Sequence, residues 1–214
     1  MQTSYNTKMH TVDKYGWTIL EGDTGYSLPE SVRTSMVAQG PVEKYVKEKK
    51  VAVEIGVYYG FTTRWLSGIF DVVHTFDLKN AVLECFEINM KKFKCDNVIS
   101  HGHGLGSENA QVDYPYSEDT PTYMNIGNME RFTPKKQQIK KLDDCNIGSI
   151  DFIMIDTEGY GANVVKGATK TILDNKPVIV CKTDGAPSLL NDLGYSFIEQ
   201  VSKNDALYLH KDQV

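Results

Sequence analysis

The chain has 214 residues, of which 41% are hydrophobic and 24% are charged, so it is long enough to bury one good-sized core. Its formal net charge of −5 disfavours non-specific binding to a nucleic-acid backbone, although a local basic groove stays open. The sequence has no apolar run of the about 18 residues that a membrane span needs, and its polar start is unlike a signal peptide. We therefore expect a cytoplasmic globular protein that does not enter a membrane.

The four cysteines lie far apart, without the C-x-x-C spacing of a redox or zinc motif. In a cytosolic protein, cysteines of this kind are normally reduced thiols. We predict no disulfide framework and no metal site from Cys85, Cys95, Cys145 and Cys181.

The first fifty residues are polar and mixed, with irregularly spaced aromatic side chains. A helix is expected to start near Pro29, and a second short helix is expected from Val42 to Lys49 after a break at Gly40-Pro41. Residues 1 to about 28 form either an ordered arm over a pocket or a loosely held terminus. We assign residues 1–50 as an N-terminal arm with covering helices, followed by one domain over residues 51–214.

The segment VAVEIGVYYGFTT, from Val51 to Thr63, predicts a strand, a glycine turn and a helix. Its first five residues, ending at Ile55, are apolar with β-branched side chains at alternate positions, which favours a buried strand. Gly56 and Gly60 follow, and apolar residues then recur at helical spacing. Such a turn brings a ligand close to bare backbone, and glycine is needed where a Cβ would block the turn or the ligand.

A second apolar strand, from Val72 to Phe76, ends at Asp77, about 20 residues beyond Gly56. A carboxylate in this place accepts hydrogen bonds from the ribose of a bound nucleoside. The alternatives are that the glycines only form a tight turn and that Asp77 caps the following helix. The two features together favour a nucleoside site.

The middle of the chain has one further helix and strand before its pattern is lost. Apolar residues at helical spacing from Leu83 to Phe93 predict a helix, and residues 97–100 predict a strand that runs into a glycine-rich loop at 101–106. Residues 107 to about 138 have no clean period and are rich in tyrosine and asparagine. We interpret them as a substrate-binding insertion, because tyrosine offers both apolar area and a hydroxyl; a solvated excursion with a small hairpin is the alternative.

The remaining sequence predicts two more strands, each followed by a helix, and an antiparallel pair. Ile150–Asp156 is an apolar strand that ends in a carboxylate, and Pro177–Cys181 is a strand followed by Lys182. Tyr195–Val201 and Ala206–His210 form the closing pair. Strands that alternate with helices predict an α/β fold with a single doubly wound, mostly parallel sheet and an antiparallel last strand.

In such a fold the carboxyl ends of the parallel strands lie at one edge of the sheet, and ligands bind there. We expect Gly56, Asp77, His101 and Asp156 to meet at this edge.

These motifs resemble those of the FkbM family of methyltransferases, which have the Rossmann-like class I fold with a seven-stranded sheet. The family's acidic-x-glycine-x-asparagine-x-glycine turn is similar to Glu54–Gly60, and its phenylalanine–acid pair is similar to Phe76-Asp77. The most specific block, IDFIMIDTEGYGANVVKGA, runs from Ile150 to Ala168. Further matches are Asn89, Asn97-Val98, Leu105-Gly106 and Leu142-Asp143-Asp144. The likeness covers roughly residues 51–210.

The resemblance implies an enzyme that uses S-adenosyl-L-methionine to methylate a hydroxyl of a small carbohydrate-like or secondary-metabolite acceptor. It implies that the cofactor contacts Glu54, Gly56, Tyr58, Gly60, Thr62, Asp77, Leu78, Gly104, Leu105 and Asp156. Tyr58 departs from the family's usual asparagine, Gly161 from its frequent glutamate, and Lys182 from its common glutamate. The acceptor side of the site is therefore less well defined by the resemblance than the cofactor side.

Asp156, Glu158 and Lys182 are the candidate catalytic residues, because they follow adjacent strand ends. Methyl transfer to a hydroxyl needs alignment of the acceptor, and a nearby base helps. Asp156 is either that base or a partner of the cofactor's ammonium group, which Glu54 can also balance. Glu158 is either the base or a charge at a helix start. Lys182 orients an anionic acceptor or stabilises its developing alkoxide, unless it only forms a salt bridge with Asp184 or Asp156.

Other functions stay open on sequence alone. A nicotinamide oxidoreductase would need a G-x-G-x-x-G turn, which Gly56–Gly60 is not. A non-catalytic nucleoside-binding module would keep the fold and lose the site. A metal-assisted O-methyltransferase would hold Mg²⁺ with carboxylates such as Asp156 and Asp184. An RNA ribose 2′-O-methyltransferase would use Asp156, Lys182 and Glu199 with a further lysine that the sequence does not place, and the acidic chain argues against it.

Overall fold

The computed structural model describes residues 10–21, 23, 36–78, 81–116, 133–183 and 185–214. The strands are β1 (His10–Val12), β2 (Thr18–Leu20), β3 (Val51–Ile55), β4 (Val72–Phe76), β5 (Val98–Ser100), β6 (Gly104–Leu105), β7 (Ala110–Tyr116), β8 (Thr133–Lys140), β9 (Phe152–Ile155), β10 (Val178–Lys182), β11 (Tyr195–Gln200) and β12 (Asp205–His210). The helices are α1 (Gln39–Tyr45), α2 (Phe61–Ser67), α3 (Ala81–Lys92), α4 (Gly161–Gly167), α5 (Thr169–Asn175) and α6 (Ala186–Asp192).

A seven-stranded sheet in the order β5-β4-β3-β9-β10-β12-β11 forms the centre of the molecule. Strands β5, β4, β3, β9 and β10 pair in parallel, whereas β12 runs antiparallel to both β10 and β11. The predicted α/β fold, with a mostly parallel sheet and an antiparallel last strand, is confirmed.

The strand order reverses between β3 and β9. From β3 the chain moves outward through β4 to β5, and it then returns to place β9 on the other side of β3. In open α/β sheets the crevice at such a reversal is where ligands bind, beyond the carboxyl ends of the strands. Gly56 follows β3 and Asp156 follows β9, so the fold brings these two residues to that crevice.

The central strands are buried on both faces, as parallel strands covered by helices require. On one face Val53, Ile55 and Ile153 pack with Val164 and Leu190 from the helices. On the other face the alternate strand residues, such as Ala52, Phe152 and Met154, pack with Val42 and Leu66. The alternation of side chains along each strand therefore explains why both faces carry apolar residues.

Two helices differ from the sequence-based expectation. Helix α1 begins at Gln39 and includes Gly40-Pro41, where we expected a break. Pro41 is tolerated because it lies in the first turn, where a backbone N–H has no partner within the helix. The apolar stripe from Val164 to Ile172 belongs to two short helices, α4 and α5, which are separated at Ala168. The expected helix start at Pro29 lies outside the described residues.

The N-terminal segment forms a two-stranded antiparallel hairpin, β1–β2, that packs on α3 and on the glycine turn. Trp17 and Leu20 lie in one core with Phe61, Phe86 and Met90. The described part of the N-terminal segment is therefore an ordered element, and its position over a pocket stays a prediction.

A second, three-stranded sheet of order β6-β8-β7 contains the described part of the predicted insertion at about 107–138. Strands β7 and β8 form an antiparallel pair, and β6 joins β8 in parallel. The small hairpin of the alternative interpretation is thus present. Most of the tyrosine- and asparagine-rich stretch, residues 117–132, lies outside the described residues, and its substrate-binding role stays a prediction.

Among the described residues, which include all four cysteines, Cys85, Cys95, Cys145 and Cys181 form no disulfide. Among the described residues, no helix combines the length and the apolar composition that crossing a membrane requires.

Candidate active site

Gly56 and Asp156 are in direct backbone contact where β3 and β9 end. The N–H of Asp156 donates to the carbonyl of Ile55 at 2.8 Å, which continues the pairing of the two strands. Gly56 has a φ of +84°, and a Cβ added there would overlap the carbonyl oxygen of Asp156. Glycine is therefore required at position 56 both by the backbone conformation and by the neighbouring strand.

Asp77 accepts one backbone hydrogen bond from the glycine turn and one from the residue that follows it. Its Oδ2 accepts from the N–H of Val57 at 3.0 Å, and its Oδ1 accepts from the N–H of Leu78 at 2.7 Å. Burial raises the pKa of the Asp77 carboxyl, and the backbone N–H groups oppose that shift. The two bonds fix the orientation of the carboxylate, and each oxygen keeps further acceptor capacity.

Glu54 is a buried acid beneath the turn, with 2% of its surface exposed. Its Oε2 accepts from the hydroxyl of Thr63 at 2.6 Å. Burial raises the pKa of Glu54 to about 8, and the nearby carboxylates of Asp156 and Asp77 add to that increase. The acid is therefore largely protonated at neutral pH until a cation approaches it. Thr62, which the resemblance implied as a cofactor contact, lies next to Thr63 in α2 and is also buried.

The three candidate catalytic residues meet at the ends of β9 and β10. The Nζ of Lys182 lies 2.9 Å from Oδ1 of Asp156 and 3.4 Å from Oε1 of Glu158. The Lys182 side chain is 18% exposed, that of Asp156 is 41% exposed and that of Glu158 is 57% exposed. Asp205 on β12 stands opposite Lys182 in the strand register. The ion pair between Lys182 and Asp156, foreseen as one alternative, is thus present.

The charges around Lys182 define what these groups can do. Burial lowers the pKa of the Lys182 ammonium, but the carboxylates of Asp156, Glu158 and Asp205 outweigh it, and the pKa rises above its usual range. Lys182 is therefore a permanent cation and not a general base. Burial raises the pKa of the Asp156 carboxyl, against the opposing effect of Lys182. A carboxylate whose pKa is raised towards neutrality is a better proton acceptor than an exposed one.

Leu78, which follows Asp77, lies against β6, the strand of Gly104 and Leu105. A Cβ at Gly104 would stand 2.8 Å from Cδ2 of Leu78, and Leu105 is buried. The predicted cofactor residue after β4, Leu78, is therefore in contact with the strand that carries the predicted cofactor residues Gly104 and Leu105.

His101 lies against the edge of the sheet. Its ring stacks on Phe76 with a centroid distance of 4.2 Å, and its Nε2 lies 2.9 Å from Nδ1 of His74. Burial lowers the pKa of His101 to about 4, so that its imidazole is neutral at neutral pH.

Several side chains that make contacts in this region were not predicted as site residues from the sequence. Asp23 accepts hydrogen bonds from the hydroxyls of Tyr58 and Tyr59, and Asn89 joins the hairpin to the turn. The hydroxyl of Thr157, next to Asp156, is buried without a hydrogen-bond partner among the described residues. Only Asn89 had a signal, its match to a family motif; the other contacts join residues without a local pattern.

Two alternative sites considered from the sequence, one with Glu199 and one with Asp184, are not seen among the described residues. Glu199 stands opposite Leu207 on β12 and acts electrostatically on Lys44, so the structure does not bring it to Lys182. Asp184 lies outside the described residues. Within the described ranges, no group of three or more His, Cys, Asp or Glu side chains is arranged to hold a metal ion.

The sheet order, the glycine turn at its reversal and the acid after the next strand together define a class I methyltransferase fold. The family model described as Methyltransferase FkbM domain matches residues 54–197, which is more than half of the chain. The chain therefore belongs to the FkbM methyltransferase family.

Solved structures show the same fold. The FkbM methyltransferase of Methylobacillus flagellatus KT is 17% identical with a TM-score of 0.56, over 76% of this chain and 44% of that one. The precorrin-6y C5,15-methyltransferase of Geobacter metallireducens GS-15 is 13% identical with a TM-score of 0.51, over 92% and 95% of the two chains. TYW2 of M. jannaschii, solved in complex with AdoMet, is 14% identical with a TM-score of 0.50, over 96% and 89%.

This chain spans less than half the length of the M. flagellatus protein. A comparison with curated protein sequences gave no match.

Proposed function

We propose that the protein transfers the methyl group of S-adenosylmethionine to a hydroxyl of a small carbohydrate-like or secondary-metabolite acceptor. The observation that carries this proposal is the convergence of Glu54, Asp77 and Asp156 on the glycine turn at the reversal of the strand order. Membership of the FkbM methyltransferase family supports the reaction class. The complex of TYW2 with AdoMet is a precedent for this cofactor on the same fold.

The ribose end of the cofactor suits Asp77. A ribose offers two hydroxyl donors, and an ionised carboxylate has about four acceptor positions. The N–H groups of Val57 and Leu78 occupy one position on each oxygen and aim the carboxylate across the turn. The ribose hydroxyls would donate to the acceptor positions of Asp77 that the backbone N–H groups leave open.

The acids Glu54 and Asp156 are suited to bind the methionine end of the cofactor. Its ammonium group needs a carboxylate, and Asp156 lies close enough to Glu54 to raise the pKa of the Glu54 carboxyl. The buried hydroxyl of Thr157, which has no hydrogen-bond partner among the described residues, is the kind of polar atom that a bound ligand satisfies. These two acids and this hydroxyl therefore fit the zwitterionic methionine tail of the cofactor.

The acceptor would approach beside Asp156. When bound, the cofactor supplies a methyl group on a positively charged sulfur. Asp156 would take the proton of the acceptor hydroxyl, so that the hydroxyl oxygen could receive the methyl group from the sulfur. Lys182 holds Oδ1 of Asp156 at 2.9 Å and so fixes the carboxylate during this transfer. Glu158, at 3.4 Å from the same ammonium, helps to hold Lys182 in place.

Two measurements test the proposal. Calorimetric titration should show binding of S-adenosylmethionine and S-adenosylhomocysteine and none of NAD; binding of NAD alone would overturn the cofactor assignment. Incubation with methyl-labelled cofactor should then label a small glycan or metabolite pool. Label that enters RNA and no small molecule would favour the nucleic-acid alternative.

A further inference from the structure

We propose that Asp23 is a positioning residue of the cofactor site. Through Tyr58 and Tyr59 it holds the Gly56–Gly60 turn in the shape that receives the cofactor. This inference rests on the function proposed above and adds to it a residue from outside the family-matched part of the chain, residues 54–197.

One oxygen of Asp23 joins the N-terminal segment to the turn. Its Oδ2 accepts from the hydroxyl of Tyr58 at 2.7 Å and from that of Tyr59 at 2.5 Å. The Tyr59 hydroxyl in turn accepts from the N–H of Leu20 at 3.2 Å. Burial raises the pKa of Tyr59, so its hydroxyl keeps its proton and acts as the donor. Bonds from two hydroxyls to one carboxylate are charge-assisted and stronger than neutral ones.

The turn needs such support because its backbone is unusual. Gly56, Tyr58 and Gly60 all have positive φ values, of 84°, 49° and 92°. The glycines adopt this region freely, but for a bulky residue such as Tyr58 it is unfavourable and persists only where the surroundings impose it. The surroundings here are Asp23, which holds the hydroxyl, and the ring of Tyr59, whose centroid lies 4.1 Å from that of Tyr58.

Asn89 supports the same turn from the other side. Its side chain donates to the carbonyl of Tyr59 at 3.1 Å and to that of Thr18 at 2.9 Å, and it accepts from the N–H of Thr18 at 2.7 Å. Asn89 is fully buried, so the hairpin and the turn share one rigid connection.

The effect reaches the ligand-binding atoms through the residue next to Tyr58. Val57 donates its N–H to Oδ2 of Asp77, the acid proposed to bind the ribose. A turn that loses the support of Asp23 shifts Val57 and with it the orientation of Asp77. The path from Asp23 to Asp77 therefore begins with the hydrogen bond to the Tyr58 hydroxyl. It continues through the Tyr58 side chain and the backbone between Tyr58 and Val57, and it ends with the hydrogen bond from the Val57 N–H to Asp77.

The test is the dissociation constant of S-adenosylhomocysteine, measured by calorimetry well below the unfolding temperature of each variant. Asp23→Ala should weaken binding by about tenfold or more, the change expected when a charge-assisted hydrogen bond is lost. Asp23→Asn keeps an oxygen that can accept and should recover part of the affinity. Tyr58→Phe keeps the ring and loses one hydroxyl, so it should weaken binding even where Asp23→Ala does not fold.

The matched control is Asp13→Ala. Asp13 accepts from the N–H groups of Tyr15 and Trp17 at the tip of the same hairpin. The Asp13→Ala variant should have a lower thermal midpoint of unfolding and an unchanged dissociation constant for S-adenosylhomocysteine. Equal weakening by Asp13→Ala and Asp23→Ala would overturn the proposal, because folding of the hairpin would then be the cause.

Parental affinity in both Asp23→Ala and Tyr58→Phe would also overturn it. If the parent protein itself binds neither S-adenosylmethionine nor S-adenosylhomocysteine, the proposed function fails and this inference falls with it.

Discussion

Gly167 packs directly on the backbone of Gly106, so closely that a Cβ at position 167 would overlap the carbonyl oxygen of Gly106. Gly167 ends α4, and Gly106 directly follows β6, the strand of the predicted cofactor residues Gly104 and Leu105. Two motifs that are distant in the sequence thus meet backbone to backbone. The contact holds the end of β6 against α4, the helix that follows Asp156 and Glu158.

We expect Gly167→Ala to destabilise the protein by roughly 1–3 kcal/mol, the usual cost of forcing extra volume into a packed site. Neighbouring backbone atoms cannot move aside as the tip of a flexible side chain can. Chemical denaturation measures the loss. Gly148→Ala is the control, because a Cβ there meets nothing within 4 Å. Equal stability of the two variants would contradict the described contact.

Asp77→Ala should weaken cofactor binding by about tenfold or more, since the loss of a charged acceptor costs roughly 1.5–3 kcal/mol. The substitution also removes the acceptor for Val57 and Leu78, so it should lower the thermal midpoint. Asp77→Asn keeps one acceptor oxygen and should lie between Ala and the parent. A folded Asp77→Ala protein with parental affinity would exclude Asp77 from the ribose site.

Glu54 should make cofactor binding depend on pH. Its pKa is raised to about 8 in the folded protein, so in the free state it carries a proton at pH 7. A bound ammonium favours the ionised form, and binding then releases that proton. Affinity should therefore rise as the pH increases from 6 towards 8, by at most about tenfold per unit. Calorimetry in buffers of different ionisation enthalpy measures the release, and Glu54→Gln should abolish it.

The same pKa shift predicts the opposite trend for the stability of the free protein. A raised carboxyl pKa means that the folded state holds a proton that the unfolded state has lost. The contribution of Glu54 is complete below the ordinary pKa of about 4.5 and declines as the pH rises towards 8. Thermal unfolding without ligand should show this decline in the parent and a weaker one in Glu54→Gln.

The ion-pair cluster at Lys182 should govern turnover rather than cofactor affinity. We expect Asp156→Asn to reduce the single-turnover rate at saturating cofactor by about 10²–10⁴-fold, the range of general-base catalysis. Lys182→Met should also slow the reaction, because it releases the Asp156 carboxylate. Glu158→Gln should have a smaller effect, since Glu158 is more exposed and its contact is longer.

The outcome for Asp156 distinguishes its two roles. If Asp156 instead anchors the ammonium group, Asp156→Asn will weaken cofactor binding and keep its rate at saturation. Near-parental rates in Asp156→Asn, Glu158→Gln and Lys182→Met together would show that this cluster does not carry the chemistry.

The sequence predicted the sheet well because its signals are local. The apolar run from Val51 to Ile55 and the glycines that follow it report burial and backbone conformation directly. The break between α4 and α5 at Ala168 was not predicted, because the apolar stripe continues across it and Ala168 itself is a good helix former.

The function of single acids was harder to predict, because an acid that binds a ligand and one that caps a helix look alike in sequence. Asp143, in a motif shared with the family, accepts from the backbone N–H groups of Lys170 and Thr171 at the start of α5. Asp151 likewise accepts from the N–H groups of Lys50 and Val51. The contact between Asp23 and Tyr58 crosses 35 positions, a distance over which periodicity gives no information.

The bond between Asn89 and Thr18 also has a consequence for the order of folding. The hairpin is synthesised before α3, and the Asn89 side chain that bonds to the Thr18 backbone is made 71 residues later. Contacts of such long sequence separation form late, because the loop between them must first be closed. We expect amide protection at Thr18 and Leu20 in pulse-labelled hydrogen exchange to appear only after that of α3. Earlier protection of the hairpin would show that it folds without Asn89.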